Sequence, residues 1–169
     1  MDATELRALQ APLKQKYRDD PETARIHAHA EVRLDPANIA ARIAGDAPRI
    51  AGLHPAAGGD GSLACSGDML LEALAACAGV TLCAVATAMG ANLTGGKIIA
   101  EGHWDARGTL GIDRSAPVGV TDVTLHFDLE GDLDAKTRTR LVDMTERYCV
   151  ILATLREPPK VTVAEPELT

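Results

Sequence analysis

The chain has 169 residues, 46% of them hydrophobic and 24% charged, an ordinary globular composition that fits one domain over residues 1–169. Its formal net charge of -7 and the lack of any basic run argue against nucleic acid or an anionic membrane surface as a partner. The four cysteines lack the close pairs of a zinc site, and a reducing cytoplasm keeps structural disulfides open, so they are interpreted as reactive or buried thiols.

The first predicted element is a surface helix over residues 3–17, because large side chains recur there at helical spacing: Leu6, Leu9, Leu13 and Tyr17. Residues 1–20 are therefore interpreted as a helical N-terminal extension. The same stretch is charged and lacks an apolar run, so it does not have the pattern of a signal peptide. A cytoplasmic location is the resulting expectation.

Short strands are predicted next. Residues 24–34 alternate apolar with polar side chains, which predicts a half-buried strand, and Asp35-Pro36 predicts a turn after it. The string Arg-Ile-Ala-Gly occurs at residues 42–45 and again at 49–52, and the two copies are predicted to form a hairpin. A loop rich in proline and glycine, residues 54–61, leads to the following helix.

A long helix from Ser66 to Gly90 is the element around which the chain is organised. Ser66 is predicted to cap its N-terminus, Asp68 places a negative charge in its first turn, and Gly90 ends it in the left-handed conformation. Glu72 is the only charge between Asp68 and Gly90, so we expect a central core helix buried on most faces. A membrane span is the alternative, but the segment is rich in alanine and has no flanking Lys or Arg to anchor it.

Two strands with alternating polar and apolar residues are predicted after this helix, over residues 97–105 and 122–130. A polar connection over residues 107–119 joins them. Residues 160–164 are predicted to form a last strand.

Asp132 or Asp134 is predicted to cap a second helix, which runs to Cys149. A short apolar segment, residues 150–155, follows directly. If that segment is a new helical turn, Cys149 lies at its N-terminus, where exposed backbone N–H groups stabilise a thiolate. The sequence therefore predicts a lowered pKa for Cys149.

Two motifs resemble a known family: Gly-Asp-Met-Leu-Leu-Glu-Ala-Leu-Ala-Ala-Cys at residues 67–77 and Arg-Tyr-Cys-Val at residues 147–150. With a strand pair between them, the chain resembles the OsmC/Ohr family of thiol-dependent hydroperoxide-reducing proteins from about residue 24 to residue 164. The resemblance implies an α+β, OsmC-like fold. It also implies an intertwined homodimer whose two central helices are wrapped by antiparallel-rich sheets.

The resemblance also implies a chemistry. In this family a thiolate on the central helix attacks the peroxide, becomes a sulfenic acid, and is closed to a disulfide by the second cysteine. By matching position, Cys77 is the attacking thiol and Cys149 the resolving one. The implied substrate is an organic hydroperoxide and the implied reductant a dithiol or lipoyl-type compound, with no metal, flavin or nucleotide cofactor.

The chain departs from the family pattern beside both cysteines. The family often has proline after the second cysteine, where this chain has Val150. Better-studied members also pair an arginine with a glutamate beside the attacking cysteine. The carboxylate position falls near Gly67 or Asp68, and Asp68 is the candidate, although a first-turn aspartate also serves the helix dipole. Four candidates for the arginine remain open: Arg25, Arg33, Arg42 and Arg49.

The remaining thiols have two interpretations. Cys83 lies about 120° around the helix from Cys77 and is expected to be a packing residue. Cys65, just before the helix, is an alternative resolving thiol. Cys77 and Cys149 themselves have a structural alternative, that of small inert hydrophobic residues in a core.

Two other classes of function stay open. His27 and His29 have the spacing of two metal ligands on one strand face, and His54, His103 or a cysteine would complete the site. The other class is a non-catalytic dimer that binds small apolar ligands in its interface groove, with Cys77 lining that groove. A divergent family member with another thiol chemistry is a further alternative.

Overall fold

The computed structural model describes residues 2–20, 24, 32–35, 40–43 and 49–164, with the segments 32–35 and 40–43 described as backbone. Helices and strands form the predicted α+β arrangement. The helices are α1 (Ala3–Asp19), α2 (Ser66–Met89), α3 (Ala106–Thr109), α4 (Ala135–Tyr148) and α5 (Val150–Arg156). The strands are β1 (Val32–Asp35), β2 (Ala40–Ile43), β3 (Arg49–Gly52), β4 (Ala64–Cys65), β5 (Asn92–His103) and β6 (Thr121–Asp132).

Four of the strands form one sheet in the order β1-β2-β3-β4. The β1–β2 and β2–β3 pairs are antiparallel, and β3–β4 is parallel. Arg42 lies opposite Ile50, so the predicted pairing of the repeated segments is confirmed over the described residues. Residues 32–34 of the predicted strand 24–34 belong to β1, whereas residue 24 at its start has a 3-10 conformation and is not in a strand. Residues 25–31 and the turn at Pro36 lie outside the described residues.

The second sheet is the antiparallel pair β5–β6, which packs along α2. Both predicted strands exist, although β5 begins earlier than predicted, at Asn92. Gly96 explains how this irregular start is accommodated: its φ is 133°, and a Cβ built there would lie 2.2 Å from the Asp128 carbonyl oxygen. Glycine therefore lets the two backbones approach. The connection between the strands is not wholly irregular, because α3 forms within it.

The ends of α2 lie close to their predicted positions. Gly90 ends the helix in the left-handed conformation at φ 66°, as predicted. The predicted cap at Ser66 is wrong by one residue: Cys65 is the N-cap and makes no side-chain capping bond. The cause is β4, which keeps Cys65 extended, at φ -76° and ψ 138°, immediately before the first helical residue.

One side of α2 lies at the centre of the core, and the other is exposed. The buried residues of α2 are Leu74, Ala78, Leu82, Val85 and Ala86. The exposed ones include an apolar stripe made of Ala73, Ala76, Val80, Cys83 and Ala84. The expectation of burial on most faces is therefore wrong for a single chain, because no element among the described residues covers this stripe.

By length and composition, α2 is also the one helix in the described part of the chain that is apolar enough to cross a membrane. Its contacts with β5, α4 and α5 are those of a core helix. The predicted N-terminal helix exists as α1, starts at a capping box between Asp2 and Glu5, and packs against α2.

α4 begins behind Asp134, whose carboxylate accepts a hydrogen bond from the Thr137 N–H at 2.7 Å, so Asp134 rather than Asp132 is the cap. Arg138 on α4 donates to the carbonyl oxygens of Leu129 at 2.6 Å and Leu133 at 3.1 Å. These two bonds hold α4 against the end of β6. Since α4 leads directly into Cys149, they also help to position the second motif.

The predicted strand at residues 160–164 is wrong, because this segment has no regular secondary structure. Val161 and Val163 are both largely exposed. An alternating pattern creates a strand only where a neighbouring edge supplies hydrogen-bond partners, and no described strand pairs with this segment.

Candidate active site

The structure brings Cys77 and Cys149 together. Cys77 lies in the middle of α2 and is partly exposed, whereas Cys149 lies between α4 and α5 and is 0% exposed. The two side chains pack in one cluster, and each thiol is among the causes that shift the pKa of the other. Both sulfurs sit in one apolar cluster with Leu74 and Ala78, against the inner face of the β5–β6 sheet. The sequence motifs therefore mark residues that share one site.

Cys149 is placed by a break between two helices. It is the C-cap of α4 and the N-cap of α5, with extended backbone angles of φ -72° and ψ 110°. Its N–H donates to the Thr145 carbonyl at 2.9 Å, and its own carbonyl accepts from the Ala153 N–H at 3.0 Å. The first three N–H groups of α5 have no partner within that helix, as at every helix start. These N–H groups, of Val150, Ile151 and Leu152, lie beside the sulfurs of Cys77 and Cys149.

Cys77 has a lowered pKa. Burial alone would raise the pKa of this thiol, but the hydrogen-bonding groups around it outweigh burial: the Ile151 N–H, the Cys149 thiol, the Val150 N–H and the Thr81 hydroxyl. All four donors favour the ionised form. No cation is among these stabilising groups, so the thiolate is held by neutral donors.

Cys149 has a raised pKa. Burial is the largest cause, and the hydrogen bond and negative charge of Cys77 raise the pKa further, against the opposing effect of the Leu152 and Ile151 N–H groups. The predicted lowering of the Cys149 pKa is therefore wrong. Cys149 does lie at the start of a new helix, as predicted. The thiol whose pKa the exposed N–H groups bring below its ordinary value is, however, Cys77 on the neighbouring helix.

The arginine and carboxylate candidates do not converge on Cys77 in the described part of the chain. Arg49 pairs with Glu72 at 2.5 Å, and Glu72 lies about 140° around α2 from Cys77. Asp68 is an exposed residue of the first turn, the position of a helix-dipole residue. Arg25 lies outside the described residues, and only the backbone is described at Arg33 and Arg42.

The two other cysteines lie apart from this pair. Cys65 is separated from Cys77 by twelve positions, or about 18 Å along a helix. A disulfide requires Cα atoms within about 7 Å, so Cys65 cannot resolve Cys77 in the same chain. Cys83 is exposed, not packed in the core as expected, and lines a groove of about 490 Å³ between α2 and β5.

The histidines do not assemble a metal site where they are described. His27 and His29 lie outside the described residues. His54 accepts a hydrogen bond from the Ala56 N–H at 3.0 Å and makes an edge contact with Trp104. Among the residues that the structure describes, no group of three His, Cys, Asp or Glu side chains is arranged to hold a metal ion.

Sequence reasoning missed three contributors to the site, the Thr81 hydroxyl and the N–H groups of Ile151 and Val150. A signal for Thr81 was present, because residues four apart share one helix face and Thr81 follows Cys77 at that spacing. Nothing in the sequence pointed the Val150 N–H toward Cys77, since that contact depends on how α5 docks on α2. A stabilised thiolate beside a protonated thiol is the arrangement expected of two cysteines that interconvert between a dithiol and a disulfide.

Known proteins share this fold. A family model described as OsmC-like protein matches residues 59–164. An OsmC-like protein from Mycoplasma pneumoniae has a TM-score of 0.66 and 16% identity over 79% of this chain and 89% of its own. An organic hydroperoxide resistance protein OsmC from Legionella pneumophila, also described as a predicted redox protein, has a TM-score of 0.62 and 16% identity over 79% of this chain and 93% of its own. An OsmC-like protein of unknown function from Vibrio cholerae has a TM-score of 0.60 and 12% identity over 77% of this chain and 94% of its own.

No curated protein matches the chain with significance. At these identities the solved structures show a shared fold. The family match is independent of them, covers more than half of the chain and includes both Cys77 and Cys149. The chain therefore belongs to the OsmC-like family.

Proposed function

We propose that this protein reduces organic hydroperoxides with two thiols, Cys77 attacking the peroxide and Cys149 resolving the product. The observation that carries the proposal is the contact of these thiols with opposite pKa shifts, lowered for Cys77 and raised for Cys149. One sulfur is then ready as a nucleophile while its neighbour keeps its proton. The Legionella pneumophila relative named for organic hydroperoxide resistance supports this choice of substrate.

In the first step the Cys77 thiolate attacks the terminal oxygen of the hydroperoxide. A sulfur–oxygen bond forms and the oxygen–oxygen bond breaks. The alkoxide leaves and takes a proton from water, so the products are an alcohol, a hydroxide ion and a Cys77 sulfenic acid. The sulfur is oxidised by two electrons and the peroxide is reduced by two.

In the second step the Cys149 sulfur attacks the Cys77 sulfur. A sulfur–sulfur bond forms and the sulfur–oxygen bond breaks. The hydroxide leaves with the Cys149 thiol proton as water, and the product is a disulfide. The contact between the two sulfurs favours this step over further oxidation of the sulfenic acid.

A dithiol resets the pair. Because Cys149 is buried and Cys77 is partly exposed, the reductant attacks the Cys77 sulfur and releases Cys149. The second thiol of the reductant then attacks the mixed disulfide at the reductant's own sulfur and releases Cys77. The dithiol becomes a disulfide, and both protein thiols are restored. The proposed chemistry uses no metal, flavin or nucleotide.

We also propose that two copies form the interlocked homodimer, that residues 1–169 act as one domain with an N-terminal helical extension, and that the protein is cytoplasmic. The exposed apolar stripe of α2 supports the homodimer, because an uncovered apolar helix face is typical of an interface. The isolated two-stranded β5–β6 sheet supports it too, since such pairs gain stability from further strands.

Peptide mapping tests the two-thiol mechanism. No Lys or Arg lies between Arg49 and Lys97, so trypsin leaves Cys65, Cys77 and Cys83 in one peptide, residues 50–97. Cys149 is released in residues 148–156. We therefore use a Cys65→Ser/Cys83→Ser background, in which a crosslink between the two peptides joins Cys77 to Cys149. One equivalent of cumene hydroperoxide is expected to form that crosslink and to release one equivalent of alcohol.

Single substitutions in that background separate the roles. Cys149→Ser is expected to consume one equivalent of peroxide and stop at a Cys77 sulfenic acid, which dimedone traps. Cys77→Ser is expected to consume none. The proposal is rejected if peroxide is left unreduced by the parent protein, or if Cys77→Ser still turns over with a dithiol.

A further inference from the structure

Thr81 lies one helical turn after Cys77 on α2 and is half-buried. Its hydroxyl donates a hydrogen bond to the Cys77 carbonyl oxygen at 2.8 Å. A threonine hydroxyl carries a single hydrogen, so it donates to one acceptor at a time, and it rotates to suit its surroundings. The Cys77 carbonyl and the Cys77 sulfur both lie on the turn that Thr81 faces.

The surroundings of Cys77 make each donor matter. Cys77 packs against a cluster that also receives apolar side chains from β5 and β6: Ile98, Ala100 and Leu125. From α5, Ile151 and Leu152 contribute apolar side chains as well. Cys149 is the other thiol of this cluster, and the Arg49–Glu72 pair lies on another face of α2. Within this apolar cluster a charged sulfur depends on the few neutral donors near it, because hydrogen bonds are electrostatically stronger where apolar side chains replace part of the water.

We propose that Thr81 is a positioning residue for the nucleophile: its hydroxyl donates to the Cys77 carbonyl while the thiol is protonated and turns to the sulfur once the thiol ionises. This rotation leaves the number of hydrogen bonds made by the hydroxyl unchanged and gives the thiolate one more hydrogen bond. The inference rests on the proposed role of Cys77. Hydrogen bonding from Thr81 is also one of the causes that lower the Cys77 pKa.

A bond from threonine to the carbonyl four residues earlier is common in helices. In α2 itself, Thr87 donates to the Cys83 carbonyl at 2.8 Å. The two threonines share residue type, spacing, preceding cysteine and helix. They differ in the site, because Cys83 has no partner thiol and is exposed. Thr87 is therefore a matched control for the structural part of the Thr81 interaction.

The experiment measures the Cys77 pKa from the pH dependence of its alkylation by iodoacetamide, in the Cys65→Ser/Cys83→Ser background without peroxide. Three variants are compared: Thr81→Val, Thr81→Ser and Thr87→Val. Thr81→Val keeps the shape and removes the donor, and we expect it to raise the Cys77 pKa by about one unit, a tenfold change in ionisation. Thr81→Ser is expected to restore the parent value, and Thr87→Val to leave it unchanged.

The inference is overturned if Thr81→Val alkylates with the parent pH profile, or if Thr87→Val shifts that profile equally. Melting curves identify loss of fold, and Thr81→Ala, which removes the hydroxyl in a smaller side chain and is expected to raise the Cys77 pKa as well, decides the outcome in that case. Because alkylation needs no peroxide, the two proposals fail separately. A parent protein that leaves peroxide unreduced contradicts the peroxidase, whereas an unshifted Thr81→Val profile beside normal turnover contradicts the role of Thr81.

Discussion

Cys77 and Cys149 have the same side chain, but the pKa of Cys77 is lowered and that of Cys149 is raised. The difference arises from what each sulfur contacts. Near Cys77, two N–H groups at the start of α5 and the hydrogen-bonding groups of two side chains lower its pKa and overcome the cost of burial. Cys149 is more completely enclosed and lies beside the charge that Cys77 acquires. Ionisation of one thiol therefore opposes ionisation of the other, as expected for coupled groups.

The lowered Cys77 pKa makes stability depend on pH. Between the folded pKa of Cys77 and the ordinary thiol pKa, the unfolded chain binds a proton that the native state lacks, so the free energy of unfolding rises with pH. The raised pKa of Cys149 contributes stability that is lost only above the ordinary value. We expect the reduced parent protein to gain stability over Cys77→Ser as the pH rises toward the ordinary thiol pKa of about 8.5, measured by urea unfolding. A difference that stays constant with pH would contradict this.

At the scale of elements, the site is a junction between α2 and the break from α4 to α5. The N-cap and first residues of α5 supply donors to a sulfur on a different helix, so the docking of α5 is part of the site. Val150 is informative here. Its side chain is 68% exposed, and its contribution comes from the backbone N–H.

Val150→Pro is expected to raise the Cys77 pKa without unfolding the protein. Proline lacks the N–H that donates to Cys77, yet it is tolerated at the first position of a helix. The extended backbone of Cys149, at ψ 110°, also suits a residue before proline. Val150→Ala keeps the N–H and is the control, with an unchanged pKa. The alkylation profile of Cys77 measures both, and equal profiles for the two variants would reject the role of this N–H.

The β5–β6 pair depends on glycine where it begins to pair. Gly96→Ala is expected to destabilise the protein by about 2 kcal/mol, because its Cβ would meet the Asp128 carbonyl oxygen and its φ is positive. Gly119→Ala is the control, since nothing lies within 4 Å of a Cβ at that position. Urea unfolding compares the two variants. Equal stabilities would show that β5 relaxes around the added methyl group.

At the scale of the molecule, one side of the core helix remains uncovered in a single chain. The stripe around Val80 is apolar, and Val80 itself is 73% exposed. Burial of such a stripe against a second copy removes apolar surface from water and completes the packing of α2. The proposed homodimer therefore accounts for a sequence that is apolar nearly all round, in a helix that one chain covers on one side.

Val80→Glu is expected to dissociate the proposed dimer, because it places a charge in the middle of the stripe. Light scattering after size exclusion should then report 17.7 kDa, the mass of one chain, in place of twice that mass for the parent. Val118→Glu is the control, because Val118 is comparably exposed, at 66%, but lies in the loop before β6. The interface assignment fails if both variants keep the parent mass, or if both lose it equally.

The sequence by itself determined the local features of this protein. Helical periodicity and the glycine at position 90 defined α2, alternation defined β6, and the break at Cys149 was visible where one helix pattern gave way to another. These features depend on residues close together in the chain, so their patterns survive without knowledge of the fold. The two family motifs also identified the cysteine pair before any geometry was known.

The tertiary structure alone decided which sulfur is the stronger acid. A helix start was predicted beside Cys149, but a thiol pKa depends on the direction of N–H groups and the depth of burial, which are set by how α5 docks on α2. The same holds for the Arg49–Glu72 pair, which turns that arginine away from Cys77. It also holds for residues 160–164, where an alternating pattern met no strand edge. Each outcome rests on contacts between segments distant in the chain, and such contacts leave no periodic trace in the sequence.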